Sequence, residues 1–357
     1  MLNKKRYIIP VLILMFPLVL SLAIIRHAAS FLFRALKPKN YPPVLRTPEE
    51  SFAGLSALGY TFEPNFIELC GGNLHLPRVH YVDEGPPNSD RVILLIHGEP
   101  TWSFLYRFMI KSLASKGYRV IALDFIGFGK SDKYSSLDMY THDLHTLTLR
   151  LFIEHLKLSK ITLVVHDWGG PVGLSVVKDI PNLIDSLCIL NTVLPCREDT
   201  GLKHLVNMFH FLTWSAVIFV CQTHLPLGYL LGYASIDSKT RRGYTAPFPN
   251  YRYKAGVARW PQLVPMLPWG CKRIIEDMRS TKRFLRKWDK PVLLLFSDDG
   301  ISGSGASKDL FKSLFPNGED IPIKGGGHLY QKFIQEFKSD ELSDHLMRFL
   351  RKHSAVK

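Results

Sequence analysis

The sequence predicts an α/β protein: a mainly parallel sheet with helices on both faces and an inserted helical cap. Three observations carry that expectation. Apolar runs of strand length recur along the chain, helical stretches separate most of them, and one long interval lacks any strand signal. The strand-like runs are HYVDEG (80–85), RVILLIHG (91–98), RVIALDF (119–125), ITLVVHD (161–167), SLCILN (186–191) and PVLLLFS (291–297), with a helix expected over 139–158. Alternation of near-continuous apolar strands with helices is the pattern of a sheet buried on both sides.

The interval between SLCILN and PVLLLFS is rich in Trp, Leu, Tyr and Pro, and the cap is placed at 196–260 within it. The core is then 44–195 together with 261–357. Residues 1–43 form a separate unit. Residues 7–25, YIIPVLILMFPLVLSLAII, are uncharged and almost wholly apolar, about the length needed to cross a bilayer as a helix. Basic residues precede the run, so a cleaved secretory signal is the alternative, with AAS at 28–30 a poor cleavage site. The favoured expectation is a membrane-anchored, single-pass protein, for instance of the endoplasmic reticulum, or a secreted one if the segment is cleaved. Basic residues at both ends leave the orientation open. No N-x-S/T acceptor occurs in the body, which leans toward a cytosolic catalytic domain, and Pro38, Pro42 and Pro43 read as a stiff linker.

Composition narrows the function. At 46% hydrophobic and 21% charged the chain reads as globular. Of its net charge of +14, residues 1–46 supply eight basic and no acidic side chains, leaving +6 for the body. No basic stripe interleaved with aromatics accompanies that remainder, so no nucleic-acid partner is expected. The cysteines at 70, 188, 196, 221 and 271 are odd in number and lack a CxxC pair, so neither a disulfide framework nor a zinc site is expected. His142 and His145 stand three apart on a predicted helix; a metal pair is conceivable, and a solvated helix face is the favoured reading.

Ligand sites in such sheets lie beyond the carboxyl ends of the strands. Loops leave there as HGEPTW, DFIGFGKSD, HDWGG and SDDGISG, and GGGH (325–328) follows the last apolar segment. An aspartate closing a buried strand is a plausible helix N-cap by position alone. Read in order, however, Asp167, then Asp298 or Asp299, then His328 give nucleophile, acid and histidine, the chain order of the α/β-hydrolase arrangement, whose nucleophile sits on a tight strand-to-helix turn. An aspartate with a reference pKa of about 3.9 needs no base for its own attack. The histidine is freed to activate water against the resulting ester. Backbone N–H groups of Trp168 and Glu99 are the expected oxyanion donors.

HGEPTWSFLYR (97–107), DFIGFGKSDK (124–133), ITLVVHDWGG (161–170), YTAPFPN (244–250) and GGGH together resemble the haloalkane dehalogenases, and more narrowly the subfamily in which two tryptophans hold the halide. The resemblance covers nearly everything after residue 45. HDWGG is shared with epoxide hydrolases; HGEPTWSFLYR is far more specific. DFIG lacks the arginine that haloacid-cleaving relatives carry there, which argues against a carboxylate-bearing substrate. The resemblance implies a small halogenated organic substrate and water, with no cofactor and no metal. It also implies Trp168 and Trp214 as halide donors, through indole N–H groups that donate without accepting, and Phe248 and Pro249 as pocket residues. FSDDGISG is compressed relative to the family spacing; DGIS aligns with the segment that normally follows the acid, so Asp299 is preferred and Asp298 is the fallback. Epoxide hydrolysis by the same nucleophile, with Tyr229, Tyr233 or Tyr244 as lid acids, and a non-catalytic membrane-anchored binding protein on this scaffold are the other readings.

Overall fold

A computed structural model describes residues 21, 44–89, 91–195, 221–233, 236–263, 272–297, 304–324 and 334–354. Its frame is an eight-stranded sheet. In chain order the strands are β1 (Asn65–Ile67), β2 (Val79–Glu84), β3 (Val92–Ile96), β4 (Arg119–Asp124), β5 (Ile161–Asp167), β6 (Ile184–Thr192), β7 (Val292–Ser297) and β8 (Glu319–Ile323). In space they run β8-β7-β6-β5-β3-β4-β2-β1. From β3 to β8 the pairings are parallel, while β2 is antiparallel to both β4 and β1.

The sheet forms as its composition dictates. Every residue of β3 and β7 is buried, as are six of the seven in β5. Strands this apolar are stable only when covered on both faces. Coverage comes from α1 (Arg107–Ala114), α2 (His142–His155), α3 (Gly169–Asp179), α7 (Lys272–Leu285), α8 (Ser304–Leu314) and α9 (Ile334–Ser354); α1 packs on α9, and α3 packs between α2 and α7. The interval between β6 and β7 carries α4 (Leu227–Tyr233), α5 (Ser238–Thr245) and α6 (Ala255–Arg259), with 3-10 turns between and after them. Caps fix their starts: the Thr141 hydroxyl accepts from the Leu144 N–H ahead of α2, and the Asp237 carboxylate accepts from the N–H groups of Lys239 and Thr240 ahead of α5.

All six anticipated strand runs are strands. Two edges were not anticipated, β1 and β8, and both are short and partly exposed. One expectation is overturned, that of a membrane-anchored, single-pass protein. A bilayer core demands a long, uniformly apolar helix, and among the described residues no helix is long and apolar enough to cross a membrane. Residues 7–25, on which the anchor and its endoplasmic reticulum setting rested, lie outside the described residues apart from Ser21.

His142 and His145 are also corrected: both are buried on α2 rather than solvated. The His142 Nε2 lies 3.0 Å from Asp277 Oδ2 on α7, and Lys178 on α3 donates to the other oxygen of that carboxylate, so the polar face of α2 is sealed by its neighbours. His145 packs edge-on against Trp260, with ring centroids 4.7 Å apart. Among the described residues no cluster of His, Cys, Asp or Glu is arranged to hold a metal ion. Cys70, Cys188 and Cys221 are free thiols, and the Cys70 Sγ sits 3.1 Å from His75 Nδ1.

Candidate active site

β5 ends on a residue with reversed backbone sense. Asp167 has φ of +49°, Trp168 is already right-handed, and α3 begins at Gly169. Aspartate enters the left-handed region more readily than most side chains, yet the conformation costs about 1–3 kcal/mol and persists only where the surroundings over-determine it. Two neighbours do so, each admitted by a glycine. Thr192, paired with Asp167 across the β5–β6 register, donates its hydroxyl to the Asp167 carbonyl at 2.5 Å. The backbone N–H of Glu99 donates to Asp167 Oδ1 at 2.9 Å. Gly98 makes that approach possible, because a Cβ there would lie 2.5 Å from both Cβ and Oδ1 of Asp167 and 2.7 Å from the Trp168 nitrogen. Gly170 permits the other contact, its Cβ position falling 1.8 Å from Thr192 Oγ1.

Two flanking strands therefore supply the clamp. The loop after β3 brings Gly98 and Glu99, and the end of β6 brings Thr192. His97 braces the first of these loops: its Nδ1–H donates to the Gly98 carbonyl at 2.9 Å and its Nε2 accepts from the Phe125 N–H at 3.0 Å, which fixes the neutral tautomer. Burial lowers the His97 pKa in the same sense. Beyond Thr192, Asn191 (φ +32°) sits at a register shift; its Oδ1 accepts from the Ser297 N–H at 2.9 Å, pinning the last residue of β7.

The Trp168 indole is buried and lies tilted against Trp260, centroids 6.0 Å apart. Trp260 opens the 3-10 turn after α6, is fully buried, and packs at 4.4 Å on Phe128. Phe248 is buried, its N–H donating to the Thr245 carbonyl, and Pro249 beside it is exposed. The structure thus brings Asp167, Glu99 and Trp168 together. Trp214, Asp298, Asp299 and His328 lie outside the described residues. His97, Thr192, Asn191 and Trp260 escaped the sequence reading. The glycine after His97 was the available signal for the first; the other three depend on pairing and packing that no local pattern encodes.

A sheet of this order, with a carboxylate on a strained turn after its fifth strand and a backbone donor from the loop after its third, defines an alpha/beta hydrolase; the family model of that fold matches residues 91–213. Comparison with curated proteins narrows the class. The chain is 36% identical over 310 residues to the haloalkane dehalogenase of Mycolicibacterium paratuberculosis, covering 85% of this chain and 97% of that one. It is 35% identical over 312 residues to the haloalkane dehalogenase of Psychrobacter cryohalolentis, covering 86% and 98%. Among solved structures, the tetrameric haloalkane dehalogenase DpaA of Paraglaciecola agarilytica superposes with a TM-score of 0.73 at 31% identity, covering 84% of this chain and 97% of that one. The chain belongs to the haloalkane dehalogenases, hydrolases that act on carbon–halogen bonds.

Proposed function

We propose that the protein hydrolyses haloalkanes through an alkyl ester on Asp167, within the subfamily that holds halide between two tryptophans. The observation that carries this reading is the Glu99 N–H on Asp167 Oδ1 at 2.9 Å, at a residue held with φ of +49°. That donor orients the carboxylate, and the second oxygen attacks the sp³ carbon. The carbon–halogen bond breaks as the new C–O bond forms, and the halide leaves with the bonding electrons. The Trp168 indole N–H, steadied by Trp260, and that of Trp214 receive the anion.

His328, oriented by Asp299 with Asp298 as the fallback, then takes a proton from water. The hydroxide adds to the ester carbonyl carbon, and the oxyanion is met by the backbone N–H groups of Glu99 and Trp168. Collapse releases the alcohol and restores the carboxylate; the net products are alcohol, halide and one proton. Residues 196–260 act as the cap over the pocket, to which Phe248 and Pro249 contribute.

Neither alternative finds support in the comparisons. Epoxide opening would want a tyrosine acid, yet the Tyr244 hydroxyl is committed to Glu336 and burial drives its pKa well above the ordinary phenol. Tyr229 is largely exposed. The test is bromide release from 1,2-dibromoethane and 1-bromobutane beside diol formation from styrene oxide, with Asp167→Asn in parallel. Bromide release that vanishes in the variant is expected. Release that survives Asp167→Asn would sink the nucleophile assignment, and diol without bromide would move the chemistry to epoxides.

A further inference from the structure

One carboxylate away from the catalytic turn gathers three parts of the chain. Glu336, in the first turn of α9, accepts from Arg107 Nη1 at 2.7 Å and also from Nη2, and the Tyr244 hydroxyl donates to its Oε2 at 2.8 Å. The Arg107 side chain is 2% exposed and that of Glu336 10%. Arg107 is fully employed besides: Nε donates to the Leu58 carbonyl at 2.7 Å, Nη1 to the Phe104 carbonyl at 3.0 Å, and the guanidinium lies 3.9 Å over the Phe104 ring. A surface pair would contribute little, but buried, two-pronged partners cannot be parted without stranding a charge.

The three residues belong to different levels of the fold. Arg107 opens α1, on the segment that continues from Glu99. Tyr244 belongs to α5, a short step before Phe248. Glu336 belongs to α9. Other contacts settle α5 sideways: Trp102 Nε1 donates to the Gly243 carbonyl at 3.1 Å, and the Tyr244 ring meets Phe104 edge-on with centroids 5.0 Å apart. The hydroxyl–carboxylate bond differs from these in being a directional polar link from α5 to α9.

We infer that Glu336 is a positioning residue that seats the cap: the Arg107–Glu336–Tyr244 chain fixes α5, and through it Phe248, relative to the loop that carries Glu99. It acts on substrate binding rather than on the reacting atoms, and it rests on the assignment of Phe248 to the pocket. A well-seated pocket wall binds substrate and transition state alike, so loosening it raises KM while leaving kcat in place.

The experiment uses the full chain with Tyr244→Phe, which keeps the ring and the Arg107–Glu336 pair and removes one hydroxyl. Steady-state bromide release is followed over a range of 1-bromobutane concentrations, beside Phe248→Leu and Glu336→Gln. In Tyr244→Phe, KM is expected to rise about fivefold with kcat within about twofold of wild type. A larger rise is expected for Glu336→Gln; should that variant fail to fold, Tyr244→Phe alone decides. An unchanged KM in Tyr244→Phe, whatever happens to its melting temperature, beside a raised KM in Phe248→Leu overturns the inference. An unchanged KM in Phe248→Leu refutes the pocket assignment, and this inference with it.

Discussion

Replacing Gly98 by alanine places a methyl group where the Asp167 carboxylate already stands. Its carbon would sit 2.5 Å from the Asp167 Cβ and Oδ1 and 2.7 Å from the Trp168 nitrogen. Carbon atoms rest about 3.5–4.0 Å apart, so a displacement of about 1 Å must be found. Asp167 has little freedom to supply it, because its carbonyl is held by Thr192 and its φ lies in the left-handed region. The loop bearing Glu99 therefore moves, and the Glu99 N–H leaves Oδ1. A misplacement of about 1 Å costs on the order of 100-fold in rate, about 2.7 kcal/mol in barrier height. Single-turnover bromide release should slow by that order, while circular dichroism stays native and overpacking lowers stability by about 1–3 kcal/mol. A Gly98→Ala enzyme whose kcat/KM stays within about threefold of wild type would refute the claim that this loop clamps Asp167 in its proposed working position.

Two further expectations follow from the same site and from the core beneath it. His328→Phe should permit ester formation and block its hydrolysis, so that a brominated substrate leaves its alkyl group on Asp167; intact-mass spectrometry checks this, and an unmodified variant beside an active wild type would contradict the covalent route. Burial alone would raise the Asp124 carboxyl, but the His80 ring 2.7 Å away and the Ser103 N–H outweigh it and bring the pKa from 3.8 to about 2. The folded value is the lower one, so the contribution is complete above the unfolded pKa and disappears as pH falls from about 4 to about 2. It amounts to about 2 kcal/mol, read from urea midpoints at pH 5 and pH 2.5; an Asp124→Asn variant with the same acid dependence would show that other carboxylates carry it.

The sheet was legible where burial is complete. VILLI has no polar residue and VLLLFS none before its last position to confuse helix with strand, and both are strands. The edges were not legible. NFI is too short to show a period and leaves Phe66 exposed, while EDIPI at the opposite edge carries two charges and a proline, which an edge strand tolerates and a central one does not. His142 and His145 misled for a related reason: polar residues at helical spacing imply solvent only when no neighbouring helix supplies a partner, and Asp277 is far away in sequence. At the site, Asp167 and Trp168 were readable because the turn is local, and Glu99 because it sits in the HGEP motif. Thr192, Asn191 and Trp260 were not, since what places them is strand register and aromatic packing.

The spatial order β6-β5-β3 separates what is rigid in the molecule from what can vary. Both partners that hold the Asp167 turn arrive on strands hydrogen-bonded directly to its own, so the geometry of that turn is set by the sheet and moves only if the sheet does. The helices between β6 and β7 carry no such obligation. Substitutions in those helices can change what reaches Asp167 while the turn itself, anchored on both sides by the sheet, stays where it is.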